Sequence, residues 1–303
     1  MDRVSASVNR ADRRPAKAER VVLRPGFDLT KWAIYPALGG TAIFFAAPLV
    51  VMFVVSFWQR LHGKLEPTWV LLNYLTFFER SYLLKALINS IEVTLITTVI
   101  SVVVAYPLAY ILAYRVPPRW QRFALVLTIL PFWTPYVVRH FSLLLILAQE
   151  GVFNWALLGI GVVDEPLKLS FNRFAVVLGF VHFFTMLLTL TIYANLVQIK
   201  QSYRMAAADL GASGLQVFLR ITLPLSLPGV AVGAFVTFVI AIGDYITPKI
   251  LGGAQELLLP QAIILQIERA ADIPMASAMS MMLMVVVTIT YFAFAKYLRM
   301  ERL

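Results

Sequence analysis

A chain of 303 residues, 60% apolar and 14% charged with a mean hydropathy of +0.79, carries more apolar surface than one water-soluble core can bury. Such a composition specifies an all-α membrane protein with several spans, and the lack of cysteine excludes disulfides and thiolate metal or redox centres. The formal charge of +10 lies beside apolar segments, where it meets anionic lipid and sets topology, so nucleic acid is not among the expected partners.

Residues 1–31 hold Arg3, Arg10, Arg13, Arg14, Lys17, Arg20, Arg24 and Lys31 with little apolar content, which predicts a flexible basic tail. Residues 32–303 read as one transmembrane domain. Apolar blocks at 32–58, 86–114, 123–148, 174–197, 229–250 and 276–297 can each cross a hydrocarbon core of about 30 Å as a helix. The first outlasts a signal peptide's apolar region and has no small-residue cleavage site, so it is expected to remain as an anchor. Six spans put both termini on one side. With the amino terminus inside, seventeen Lys and Arg fall on the inner connections and eight on the outer, which predicts cytoplasmic termini. Pro107, Pro131, Pro135, Gly179, Gly243 and Pro248 lie within the blocks as candidate kinks.

Away from the block ends, three Asp, Glu, Lys or Arg residues fall inside the blocks: Glu92, Arg139 and Asp244. A charge in hydrocarbon is costly and faces a partner or an aqueous path. A rise of about 1.5 Å per residue sets all three roughly 9–14 Å below the outer surface. They are therefore expected to form one polar cluster, with Arg139 paired to Glu92 or Asp244 and Tyr245 offering an aromatic face. The alternative is an ion pair that only fixes helix packing. The outer loop from Gln149 to Arg173, with its Asp164-Glu165-Pro166 turn, offers an external contact surface.

The loop at 202–228 is polar and finely punctuated. Met205 to Leu210 favours helix, and Gly211 follows where a left-handed terminal residue costs least as glycine. Ser213 and Gln216 make a capping box that starts a second helix. Leu215, Phe218, Leu219 and Thr222 give that helix an apolar stripe, and Pro224 is expected to end it before Pro228 and Gly229 open the next span. There is no G-x-x-x-x-G-K-[ST] to cradle a nucleotide, and His62, His140 and His182 form no H-E-x-x-H, so neither catalysis nor a metal site is expected.

The wording Ala206 to Ala212 (AAADLGA), Phe218 and Ile221 to Gly229 (ITLPLSLPG) resembles the EAA loop of permease subunits of binding-protein-dependent ABC importers. Trp133 to Arg139 (WTPYVVR), Asp164 to Leu167 (DEPL) and Ile242 to Gly253 (IGDYITPKILGG) are most similar to the polyamine (spermidine/putrescine) permeases, and the likeness runs from about Leu84 to Tyr297. This resemblance implies a type I importer permease fold in the bacterial inner membrane. It implies that the loop docks on an ATPase through Ser202, Met205, Ala206, Ala207, Asp209, Gly211, Ala212, Phe218, Pro224, Pro228 and Gly229. For such a permease, the depth of Glu92, Arg139 and Asp244, with Tyr245 beside them, leads to the expectation that they line the outer half of the translocation path. A second permease, homologous or identical, would complete the path. Two ATPase subunits would bind ATP and Mg, which this chain does not, and a periplasmic binding protein would deliver the solute.

Three departures bear on that reading. Met205 stands where the family has its leading Glu, so Ser202 lacks the acidic half of a first capping box. Lys249 replaces an acid, and Ile273-Pro274 replaces Trp-Pro. The solute expected is thus a polyamine or related amine, with an opine-like or other small organic solute as the alternative, and a non-transporting membrane scaffold as the reading from another class.

Overall fold

The computed structural model describes residues 29–253 and 256–298. Most of the expected basic tail, residues 1–28, lies outside the described residues. The first helix, α1 (Leu29–Val55), forms a unit of its own up to Leu49, and the remainder of the chain makes a second unit. After α1 comes a hairpin of β1 (Gln59–Leu61) and β2 (Lys64–Glu66), with Leu61 opposite Lys64. His62 and Gly63 both have positive φ, 52° and 81°, as a two-residue turn matched to strand twist requires. The short α2 (Leu72–Glu79) follows, and its buried Asn73 donates to the Ser56 and Trp58 carbonyls, 2.8 and 2.7 Å away.

The centre of the second unit is a pair of helices, α3 (Ser81–Tyr114) and α7 (Arg173–Leu196), packed along their length. The buried face of α3 is a stripe of small and hydroxyl side chains: Ala86, Ser90, Thr94, Thr97, Ser101, Ala105 and Ala109. Large side chains such as Ile88, Leu95, Val99 and Val103 point outward. Helices in lipid gain nothing from hiding apolar bulk, so small residues that let backbones approach decide the interface. Against this stripe lie Phe180, Phe184, Leu188, Ile192 and Leu196 of α7.

The third expected span is broken. It consists of α4 (Pro118–Ile129), a 3₁₀ turn Leu130–Trp133, α5 (Tyr136–Leu147) and α6 (Val152–Gly159). Pro135 forces Thr134 into extended backbone, φ −70° and ψ 131°, so a run that reads as continuous apolar helix from 123 to 148 cannot be one. Buried Asn154 folds the loop before α7 back by donating to the Ala148 and Leu167 carbonyls and accepting from the Leu167 amide at 2.9 Å. Asn172 then caps α7 by accepting from Ala175 N at 2.9 Å.

Beyond α7 lie α8 (Gln201–Asp209), α9 (Gly214–Val217), a π turn Phe218–Thr222 and α10 (Leu223–Gly243). Pro224 does not end the second loop helix, contrary to its sequence reading. A proline interferes with the carbonyl four residues earlier, and the wider π turn precedes it, so the helix runs on and Pro224 sits in the first turn of α10. The fifth span is thereby a helix from Gly214 to Gly243 rather than 229–250. It stops at Asp244, which is extended (φ −81°, ψ 124°), and is followed by α11 (Ile246–Leu251), α12 (Leu259–Glu268) and α13 (Ile273–Leu298). Among the described residues, six helical segments are long and apolar enough to cross a membrane.

Candidate functional site

The loop between the fourth and fifth spans is built by rules that hold in water. Helix α8 ends in a turn closed by Gly211 N donating to Ala208 O (2.9 Å) and Ala212 N to Ala207 O (3.0 Å), with Gly211 at φ +84°. Ser213 Oγ accepts from Gln216 N at 3.4 Å while Ser213 N donates to Gln216 Oε1 at 2.9 Å, completing the expected capping box. The first box is corrected. Lys200 is the N-cap of α8, so Ser202 lies inside the helix and Met205 is not in the position a box partner occupies. On α8, Ser202, Met205, Ala206 and Asp209 are exposed and Ala207 is half-buried. Leu210 is 90% exposed, and with exposed Met205, Leu215 and Leu219 it leaves the loop with apolar side chains that the described residues do not cover.

A ladder of tyrosines on α3 seats this loop. Tyr106, Tyr110 and Tyr114 recur every fourth residue and so lie on one face. Phe218 packs edge-on against Tyr106 and Tyr110, with ring centres 5.8 and 5.5 Å apart. Arg204 of α8 stacks over Tyr114 at 3.9 Å, and the Tyr114 hydroxyl donates to the Leu196 carbonyl at 2.8 Å. Tyr106 shares a 2.8 Å hydrogen bond with Ser226. The tyrosines therefore connect α8, the π turn and α10 to α3 and α7. Their four-residue spacing is the sequence signal that points to this role. Ala212 is half-buried, Pro224 is exposed and Pro228 is half-buried inside α10. Gly229 is buried where α10 crosses α7; a Cβ there would stand 2.5 Å from Asn195 Cβ.

The ionisable residues do not form one cluster. Arg139 pairs with neither Glu92 nor Asp244: its Nη2 donates to the Pro131 and Thr134 carbonyls at 2.5 and 2.8 Å, and its guanidinium faces the Phe132 and Phe183 rings. The break at Thr134–Pro135 frees such carbonyls from helical bonding, and a nearby guanidinium fork satisfies them. Glu92 instead accepts from Arg173 at 2.8 Å, and Arg173 also reaches Glu256 at 3.3 Å and Asn89 Oδ1 at 3.0 Å. The sequence reading misses this group, because Arg173 reads there as part of a loop.

Asp244 marks the break in the fifth span. Its Oδ1 accepts from Ile246 N at 2.8 Å, in the first turn of the helix that follows, and its Oδ2 accepts from the Tyr136 and Thr247 hydroxyls, both at 2.5 Å. Thr247 Oγ1 also lies 3.0 Å from His140 Nε2, and His140 Nδ1 lies 2.8 Å from the Tyr136 carbonyl. The breaks of the third and fifth spans are thus joined to each other. Tyr245 sits half-buried at the start of α11, outside this set of hydrogen bonds.

The family model described as "Binding-protein-dependent transport system inner membrane component" matches residues 105–300. The chain is 33% identical over 169 residues to the spermidine/putrescine transport system permease protein PotB of Escherichia coli (strain K12); the match covers 56% of this chain and 62% of PotB, so it spans less than two thirds of that relative. Among solved structures, a bacterial ABC transporter involved in the import of the acidic polysaccharide alginate superposes with a TM-score of 0.75 at 17% identity, covering 91% of this chain and 96% of that one. A bacterial alginate ABC transporter in complex with an alginate pentasaccharide-bound periplasmic protein gives 0.71 at 16% identity, covering 90% and 94%. The fold is that of ABC importer permeases, and this multi-pass membrane chain belongs to the family of binding-protein-dependent transport system inner membrane components.

Proposed function

We propose that the chain is the permease subunit of an ATP-driven importer and forms half of a translocation path for a polyamine or related amine. The carrying observation is the loop seated on the tyrosine ladder. A left-handed glycine and a capping serine fix two short helices, while the described residues leave Met205, Leu210, Leu215 and Leu219 uncovered, as a docking surface for a separate ATPase would be. In this reading ATP and Mg bind to two such ATPase subunits and the loop end of the bundle is cytoplasmic. A second permease closes the path, and a periplasmic binding protein delivers solute at the opposite end. The alginate transporter, which shares the fold, forms a complex with a periplasmic protein that carries an alginate pentasaccharide.

The amine follows from the likeness to PotB. Lys249, which replaces an acid of the resembling family, lies 3.8 Å from Glu268, so its charge is already partnered. The test is uptake by the chain reconstituted with its ATPase, partner permease and binding protein. Spermidine or putrescine should enter only with ATP and should stimulate hydrolysis. Uptake that needs no ATPase, or stimulation by anionic solutes alone, would overturn the reading.

A further inference from the structure

The spans α3 and α7 stop at Tyr114 and Leu196, and at that level the chain leaves an open cavity of about 520 Å³. Tyr114, Pro118 and Gln121 line it from the α3–α4 side, and Lys200, Gln201 and Arg204 line it from the start of α8. A second cavity of about 380 Å³ shares Tyr114, Gln201 and Arg204 with the first and adds Arg115. No Asp or Glu among the described residues lines either one. Arg204 lines both. Its guanidinium lies 3.9 Å from the centre of the Tyr114 ring, and its buried Nε has no hydrogen-bond partner among the described residues. Two helices, α4 and α8, also begin at the wall of the first cavity, with Pro118 and Gln201. Neither has a side-chain cap or an acidic residue in its first turn, so the positive ends of their dipoles add to the field of Lys200 and Arg204.

We propose that the first cavity is a binding site for the headgroup phosphate of an anionic phospholipid, held by Lys200 and Arg204. A phosphate fits the chemistry, since the cavity offers cationic and N–H donors and no carboxylate to oppose it. The surroundings point to a lipid as its source. The cavity lies where two apolar spans end, which is headgroup level, and basic pockets between helices at that level take anionic headgroups. Beside it on α4, Trp120 and Phe123 are 54% and 56% exposed with ring centres 6.0 Å apart, an aromatic pair of the kind that sits at a membrane interface. Helix α4 has no buried side chain, so Val126 and Leu127 further along it remain for an acyl chain to lie against. A protein partner has a different target: Leu210, Leu215 and Leu219, the apolar side chains left uncovered on the loop, do not line this cavity. Because Lys200 and Arg204 belong to the start of α8, a phosphate held there ties that helix to the α3–α4 turn at the membrane surface.

The site is a property of the chain; only its placement in the inner leaflet rests on the orientation proposed above, and lipid binding by a chain that proves not to transport would leave the site standing. The test is native mass spectrometry of the full chain in detergent, titrated with phosphatidylglycerol or with phosphatidylcholine. Phosphatidylglycerol should be retained and phosphatidylcholine lost; equal retention would overturn the proposal. A basic residue at an anionic surface contributes about fivefold in affinity, so Lys200→Gln with Arg204→Gln should weaken phosphatidylglycerol binding by at least about fivefold. Lys64→Gln with Lys168→Gln, which removes the same charge at the other end of the bundle, should weaken it by less than about twofold. Equal losses in the two double variants would mean general charge attraction and no site. Lys200→Gln alone, at an exposed position, should lower the affinity by about two- to fivefold, which keeps the proposal testable if the double variant does not fold. Inorganic phosphate that displaces phosphatidylglycerol would show a site for a free anion and overturn the lipid assignment. So would a folded Lys200→Gln/Arg204→Gln variant that keeps the lipid and loses a copurifying protein, since the cavity would then serve an acidic segment of that protein. Finally, phosphatidylglycerol should slow amide hydrogen exchange in the first turn of α8 in the wild type and not in that variant; no slowing in the wild type would refute the tie between lipid and helix.

Discussion

At the scale of single residues, Gly211 is set by backbone rather than by packing. Its φ is +84°, and an added Cβ would meet nothing within 4 Å, so the cost of a substituent is the left-handed conformation itself, about 1–2 kcal/mol. Gly211→Val is expected to insert in the membrane, yet lose most ATPase copurification and ATP-driven uptake as the angle between α8 and α9 changes. Gly211→Asn, whose side chain tolerates this region, should retain both. Equal behaviour of the Val variant and the wild type would show that the turn does not set the docking angle. Met205 gives a different kind of prediction. Because Lys200 caps α8, Met205→Glu cannot complete a capping box. The new carboxylate would instead join a groove lined by Arg115 and Arg204. Copurification with the ATPase should therefore survive Met205→Glu. If it is lost there and kept in Met205→Leu, Met205 is an apolar contact in the partner's groove.

At the scale of elements, the sequence is most legible where the chain meets water. The loop from Gln201 to Val217 obeys cap and turn chemistry, and its Gly211 turn and Ser213 box are visible as residue types at fixed spacing. The spans are legible as apolar length, but their breaks are not. Pro131 and Pro135 could equally produce kinks, and a full break at Thr134 is tolerable because Arg139, one turn into the helix that follows, takes up the freed carbonyls. Packing faces are hidden for a related reason. Both faces of a helix in lipid are apolar, so the signal is side-chain size rather than polarity, as the stripe on α3 illustrates. Gly229 and Gly233 of α10 repeat this logic, with an added Cβ reaching 2.5 Å from Asn195 Cβ and 2.8 Å from Leu188 Cδ2 on α7. Gly229→Val should force α10 from α7 and destabilise the folded protein by about 1–3 kcal/mol, with Ala less harmful. The check is thermal unfolding in detergent, and an unchanged midpoint for the Val variant would mean that the crossing has slack.

At the scale of the whole molecule, two of the three ionisable residues that sequence depth alone groups together, Asp244 and Glu92, serve separate junctions, while Arg139 holds the carbonyls of its own helix break. One joins the breaks of the third and fifth spans, and there the Asp244 carboxylate is already occupied by hydroxyls and backbone amides from this chain. The other joins α3, α7 and the segment before α12 through Glu92, Arg173 and Glu256. Its members lie more than 80 positions apart in the chain, so no local pattern could pair them. Two carboxylates share one guanidinium in this second group, which leaves an excess of negative charge, and the Glu92 side chain is 50% exposed. An ammonium group on a passing amine would therefore be drawn to Glu92 more readily than to Asp244. Screening by water and salt limits that attraction to about 1 kcal/mol or less, which corresponds to a few-fold change in affinity. Glu92→Gln should accordingly raise the KM for spermidine by roughly two- to fivefold, most clearly at low ionic strength, while Asp244→Asn should lack this salt dependence. The measurement is initial uptake rate against spermidine concentration at two salt concentrations in the reconstituted complex. A Glu92→Gln complex that assembles normally and keeps the wild-type KM at both would show that the Glu92–Arg173–Glu256 junction ties helices together and has no part in attracting the solute.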